Sequence, residues 1–243
     1  MNRPLLLTGA LSTIFLFLLS MTTSALPTAT PLTPRQQALT TISAYTATGN
    51  QPLLREALTQ GLRDGLTVNE EKEVLVQLYA YCGFPRSLSG INTLMQLLDE
   101  RKAQGVQDVM GREASPITST APKYERGKQN LEKLTGKPET GPKTGANAFS
   151  PESDVFLKEH LFADIFERDV LTFQERELVT VAALVSLGGV EPMLHFHFGA
   201  GLHVGLTEVQ LRQLIGLCEA AAGQPQAEAA CAVLAKVVAA PAK

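Results

Sequence analysis

From about residue 35 the apolar positions recur at helical spacing. Val74, Leu75, Leu78 and Cys82 fall on one stripe with polar residues between them, the signature of an amphipathic helix. Thr67 stands before that stripe with Glu70 three residues on, a pairing in which the hydroxyl and the carboxylate satisfy the free N–H groups of a helix start. Gly65 precedes it as a stop for an earlier helix, because a glycine takes the left-handed backbone that ends one. Thr48-Gly49-Asn50 forms a turn, separating a first helix of about Arg35 to Thr48 from a second that runs to Asp64. Gly83-Phe84-Pro85 closes the third helix and places Pro85 in the first turn of a fourth. Strand patterns are nearly absent, so the chain is predicted to be all-α.

The pattern occurs twice. At an offset of 140, Asp64-Gly65-Leu66-Thr67 falls on Val204-Gly205-Leu206-Thr207, and Gly83-Phe84-Pro85 on Gly223-Gln224-Pro225. The same offset pairs Leu54 with Leu194, Gly61 with Gly201, Leu94 with Leu234 and Thr40 with Thr180, without a gap. The expected organisation is a first helical repeat at 35–104, a linker at 105–151 and a second repeat at 152–240, folded as a pseudo-symmetric bundle. The linker holds six Gly and five Pro, with room for one short helix from Tyr124 to Leu134.

Arg3 is the only charge in the first 34 residues, and an apolar run of about 18 residues from Pro4 to Met21 follows it. Small residues, Thr23-Ser24-Ala25, come next. This order reads as a secretory signal peptide over 1–25, followed by a Pro-rich tail at 26–34. It predicts a protein exported to the periplasm of a bacterium, with no membrane attachment after cleavage.

Hydrophobic residues make up 44% of the 243 positions and charged ones 19%, which supports a packed core rather than disorder. A net charge of -3 offers no basic excess for nucleic acid. No His pair sits at i,i+4 and no Cys/His spacing suits zinc, so no metal site is predicted. Cys218 and Cys231 lie on either side of the turn at Gln224, level on two antiparallel helices. A disulfide between them is geometrically open if both face inward.

Arg176-Glu177-Leu178-Val179-Thr180, then His197, then Gly205-Leu206-Thr207, resembles the carboxymuconolactone decarboxylase family, which also contains the alkylhydroperoxidase AhpD. The first block, from Gly65 to Leu88, is similar to the family's run of Gly-Val-Thr, an acidic helix and a Tyr-x-Gly-x-Pro turn. The resemblance implies a helical subunit that assembles into homo-oligomers, with a trimer favoured, and a cofactor-free enzyme acting on small carboxylated unsaturated lactones. The AhpD-type Cys-x-x-Cys is missing, because Val190 and Met193 occupy its two positions. A dithiol exchange needs both an attacking and a resolving thiol, so that activity is disfavoured.

Acid–base residues are divided between the blocks. Glu177 and His197 in the second face Gln37 and Ala57 in the first, whereas Glu73 in the first faces Gln213 in the second. This predicts one composite site with His197 as proton shuttle and Glu73 or Glu177 as its partner. Glu70 and Glu71 are read as a solvated first turn. Cys82 is either a reactive thiol, which would suit a peroxidase, or a small buried hydrophobe. Arg86 is a candidate clamp for a substrate carboxylate. Tyr81 and His160 complete the candidate substrate-binding set. A non-catalytic binding or assembly module is the remaining alternative.

Overall fold

The computed structural model describes residues 30–240. The predicted signal peptide at 1–25 lies outside the described residues, as does the first part of the Pro-rich tail. Every regular element among the described residues is helical. The first block holds α1 (Pro34–Thr48), α2 (Gln51–Arg63) and α3 (Val68–Ala103). The second holds α7 (Phe173–Leu187), α8 (Glu191–His203), α9 (Glu208–Ala222) and α10 (Gln224–Ala239). Between them come α4 (Lys123–Thr135), α5 (Gly145–Phe149), α6 (Pro151–Phe156) and a π-helical stretch, Leu157–Ile165. None of the described helices is long and apolar enough to cross a membrane.

The predicted cap at Thr67 forms, as does its counterpart at Thr207, and Thr33 and Thr172 start helices in the same way. Each has a reciprocal capping box, which removes two unpaired N–H groups per end. Gly83 leaves the helical region inside α3, at φ 76° and ψ 161°, and Gly223 does the same between α9 and α10, at φ 93° and ψ 164°. The predicted break between third and fourth helices is therefore real in both blocks.

α1 and α7 lie side by side at the centre. Each packs against the second and third helices of its own block, then crosses to the third helix of the other, α1 onto α9 and α7 onto α3. α7 is buried on every side from Arg176 to Ser186, as a helix between two cores must be. Val179 and Ala183 join the first core with Leu39, Ile42, Leu58 and Leu75, while Leu178, Val181 and Val185 join the second with Phe198, Leu211 and Leu214. Each of these large side chains contributes about 1.5–3 kcal/mol by leaving water. Polar bonds fix the crossing. Ser43 donates to the Val179 carbonyl at 2.5 Å, and Gln77 Nε2 donates to the Arg176 carbonyl at 2.9 Å.

The gapless register needs one correction. α2 and α8 are offset by 140, but α1 and α7 by 139. The α1–α2 turn uses Gly49-Asn50, whereas the α7–α8 turn uses Gly188-Gly189-Val190, one residue more. The helix bounds thus place Ala38, not Gln37, opposite Glu177, and Val179 opposite Thr40.

The 105–151 stretch is not a bare connector. α4 packs along the π-helix through Gly127, where an added Cβ would stand 1.9 Å from the Lys158 carbonyl oxygen. Leu134, Phe162, Ile165 and Phe166 form a third apolar cluster beneath it, so this stretch makes a layer over one side of the bundle.

Candidate active site

α7 and α8 bring Glu177 and His197 together. His197 Nδ1 lies 2.9 Å from Glu177 Oε2 and 3.2 Å from Oε1. Glu177 is fully buried and His197 nearly so. A carboxylate facing Nδ1 makes that nitrogen the N–H donor and leaves Nε2 as the acceptor. Nε2 makes no hydrogen bond to the described protein. The ring is held edge-on by Tyr81, at 5.7 Å between centroids, and by Phe196, at 5.1 Å.

His197 lines a cavity of about 500 Å³. Its walls are mostly apolar: Leu184 from α7, Pro192, Met193 and Phe196 from α8, Leu157, Leu161 and Phe162 from the π-helix. Leu131 of α4, Glu139 and Asn147 close the cavity from above. Lys158 reaches it from the π-helix. The π winding ends with the Phe166 N–H bonded to the Leu161 carbonyl at 3.0 Å, a five-residue step. Such windings are rare and concentrate at functional sites.

Tyr81, predicted to bind substrate, does line the cavity. Its hydroxyl is buried beside Thr180 without a hydrogen-bond partner of good geometry, and burial together with the Glu177 charge raises its pKa, so it remains a phenol.

The other candidates go elsewhere. Glu73 is buried, but two guanidinium groups hold its carboxylate, Arg176 Nη2 at 2.8 Å and Arg168 Nε at 2.9 Å. It faces the far side of α7, and does not share the cavity with His197. The divided-site geometry therefore does not form within one chain: both halves of the dyad come from the second block. Cys82 is half-buried in the first core, and burial pushes its thiol up to about 11, only partly offset by Arg86. A thiol so placed is protonated at neutral pH and is a poor nucleophile. Arg86 is exposed and lies over the Gly49 turn, away from the cavity. His160 is exposed and meets Asp164 at 3.1 Å on the outer face of the π-helix. Cys218 is buried with its thiol toward the Ala182 carbonyl, and both it and Cys231 are free thiols, so the disulfide does not form.

The solvated first turn is also corrected. Glu70 ties down Arg35, and Glu71 is fully buried with neither oxygen hydrogen-bonded. Burial, reinforced by Asp108, raises the Glu71 carboxyl to about 9. Among the described residues no cluster of three or more His, Cys, Asp or Glu could hold a metal.

Residues 151–236 match the carboxymuconolactone decarboxylase family. The 4-carboxymuconolactone decarboxylase of Acinetobacter baylyi is 33% identical over 84 residues, covering 35% of this chain and 62% of that protein. The chain thus spans less than two thirds of that relative's length. The matched segment contains Glu177, His197 and Lys158, whereas Glu73, Tyr81, Cys82 and Arg86 precede it. Sequence reasoning missed Lys158, Glu139 and Asn147. Lys158 carried a signal, a lone cation inside the run Phe156-Leu157-Lys158-Glu159-His160-Leu161-Phe162, from which only His160 was taken as a candidate.

Proposed function

We propose that the protein is a carboxymuconolactone decarboxylase-like enzyme, working by cofactor-free acid–base chemistry on a small carboxylated, unsaturated lactone or a close analogue. The observation that carries this reading is the buried Glu177–His197 pair on the wall of a covered, mainly apolar cavity. Glu177 fixes the orientation and tautomer of the imidazole by accepting from its Nδ1–H. Nε2 then moves a proton to or from the carbon that loses carbon dioxide. The apolar wall excludes water, which strengthens each electrostatic contact with the delocalised charge that develops. The family match and the Acinetobacter relative support this class of reaction.

The tandem arrangement fits the same proposal: two copies of one helical unit, of which the second keeps the acid–base pair. Export to the periplasm, for which the 1–25 pattern speaks, would set the substrate apart from a cytoplasmic catabolite. Self-association fits the exposed Phe84, Leu88 and Met95 along α3. A peroxidase working through Cys82 has little support, since that thiol is buried in the other core and has a raised pKa.

The test is carbon dioxide release from a panel of small carboxylated lactones by the wild type and by His197→Gln. Turnover by the wild type and loss in the variant is expected. Equal turnover by both would remove His197 from the chemistry. No turnover of any panel member, with the dyad intact, would favour a binding module.

A further inference from the structure

The His197 cavity contains a cation that the acid–base reading does not use. The Lys158 side chain is 2% exposed, and its ammonium meets two carboxylates. One is Asp154, on the preceding helical turn, which is itself fully buried. The other is Glu139, whose Oε1 lies 2.7 Å from Nζ. The two carboxylates are held very differently. Asp154 also accepts from the Tyr124 hydroxyl at 2.6 Å and pairs with Lys143 at 2.5 Å, so it belongs to a fixed network. Glu139 has Lys158 as its one partner, is 37% exposed, and stands on the irregular segment between α4 and α5. Gly136 and Gly141 flank it at φ 69° and 88°, so backbone torsion there costs little.

The charges of this cluster add to zero with Glu139 in place: two lysines against Asp154 and Glu139. With Glu139 swung outward the cluster carries one uncompensated positive charge, at the edge of the same cavity that His197 lines. A buried ammonium deprived of one anion recruits another, because leaving it short of partners is costly. Glu139 already presents a carboxylate to this cavity from a segment that can move without unwinding a helix.

We propose that Lys158 is the carboxylate anchor of the cavity, and that Glu139 is a built-in occupant which a ligand carboxylate displaces. The ligand class is a small monocarboxylate with an apolar or unsaturated body, its carboxylate on Lys158 and its body between Phe162, Leu184 and Phe196, within reach of His197. Arg86, the cation that sequence analysis offered for this role, lies outside the cavity. The inference rests on the reading of the His197 cavity as a substrate site. It adds how that site selects its ligand, and how it stays closed without one.

The experiment is calorimetric titration of the full chain with benzoate, and with benzamide as its uncharged counterpart. Glu139→Gln removes the competitor without removing the anchor, and benzoate binding should tighten about tenfold, the worth of one charge-assisted hydrogen bond. Lys158→Met should weaken benzoate about tenfold or more and leave benzamide unchanged. Because Lys158 is buried, its variant must retain the wild-type helical circular dichroism. Glu139 is exposed, and its variant alone decides the matter if Lys158→Met does not fold. Equal affinity of wild type and Glu139→Gln for benzoate, or no binding to either, overturns the proposal. The outcome is separable from that of the catalytic reading. Lactone turnover that depends on His197, with benzoate binding insensitive to Glu139, would leave the enzyme and remove the anchor. Benzoate binding that follows the predicted pattern, without any turnover, would do the reverse.

Discussion

Two faces of this bundle carry helices of matched length, α1 and α2 on one and α7 and α8 on the other, and differ in what the chain has laid over them. On the second block, Leu184, Pro192, Met193 and His197 line a cavity roofed by α4, the π-helix and the segment between them. On the first, Tyr45, Pro52, Leu53 and Ala57 hold the corresponding helix positions and line an open hollow of about 750 Å³. Ala38 and Ala57 stand where Glu177 and His197 stand. The frame is shared, so the frame is not what makes a site. What differs is the buried acid–base pair and the layer of α4 and the π-helix laid beside it, and the two occur on the same face. A carboxylate and an imidazole give strong proton transfer chemistry only where solvent does not screen them.

The comparison breaks most directly at the dyad. His197→Gln should lower kcat/KM on a turned-over lactone by about 100- to 10,000-fold, the usual worth of a general acid or base, with the melting temperature read alongside. Arg176→Met tests the other buried pair. It strips Glu73 of its fully buried partner and should cost about 3 kcal/mol in urea unfolding, because a buried carboxylate is left with Arg168 alone. Its effect on kcat/KM should enter through stability, since Glu73 does not reach the cavity.

Gly127→Ala sharpens the role of the roof. The new Cβ would collide with the Lys158 backbone, so α4 must lift from the π-helix, at about 1–3 kcal/mol of overpacking. Turnover should fall while hydrogen exchange in α1 and α7 stays slow. Unchanged turnover would show that the roof is dispensable.

Glu71 gives a prediction for the face without a dyad. Its carboxyl is raised to about 9 in the folded protein against 4.5 when free. The folded state therefore holds a proton that the unfolded state releases, and the stabilisation is complete below the lower value and fades as pH rises towards the upper one. Wild-type stability should drop by roughly 1–3 kcal/mol between about pH 5 and pH 8, and Glu71→Gln should lose that slope. The smallest effect belongs to Cys82→Ser, for which kcat/KM should stay within about twofold, because the thiol is protonated and does not line the cavity.

Much of the helical frame was legible in the sequence because its signals are local. Thr67 with Glu70, Gly65, Gly83 and Pro85 each act within one turn of the backbone, and each stands where the pattern put it. His197 was legible as the proton shuttle, but its partner was left open between Glu73 and Glu177, and only the packing of α7 on α8 chooses Glu177. Three things were not. The extra residue at Gly188-Gly189-Val190 is silent in a gapless offset, because flanking matches in α8 and α9 outweigh a one-residue slip in α7. Glu73 sat at the edge of an apolar stripe, which reveals burial but not whether the buried partner is a substrate or Arg176. The roof was hidden behind its own composition: Gly136, Pro138, Gly141 and Pro142 read as linker, and nothing local says that such a loop returns to cover a cavity. Long-range packing decided all three.

The most direct test of the dyad's role is a nitrogen-15 spectrum of the imidazoles, with His197 assigned by its absence in His197→Gln. The account predicts that His197 is the Nδ1–H tautomer, held by Glu177, and that its Nε2 resonance moves when a carboxylated lactone or benzoate is added. An Nε2–H tautomer, or an Nε2 resonance indifferent to every ligand that binds, would contradict it.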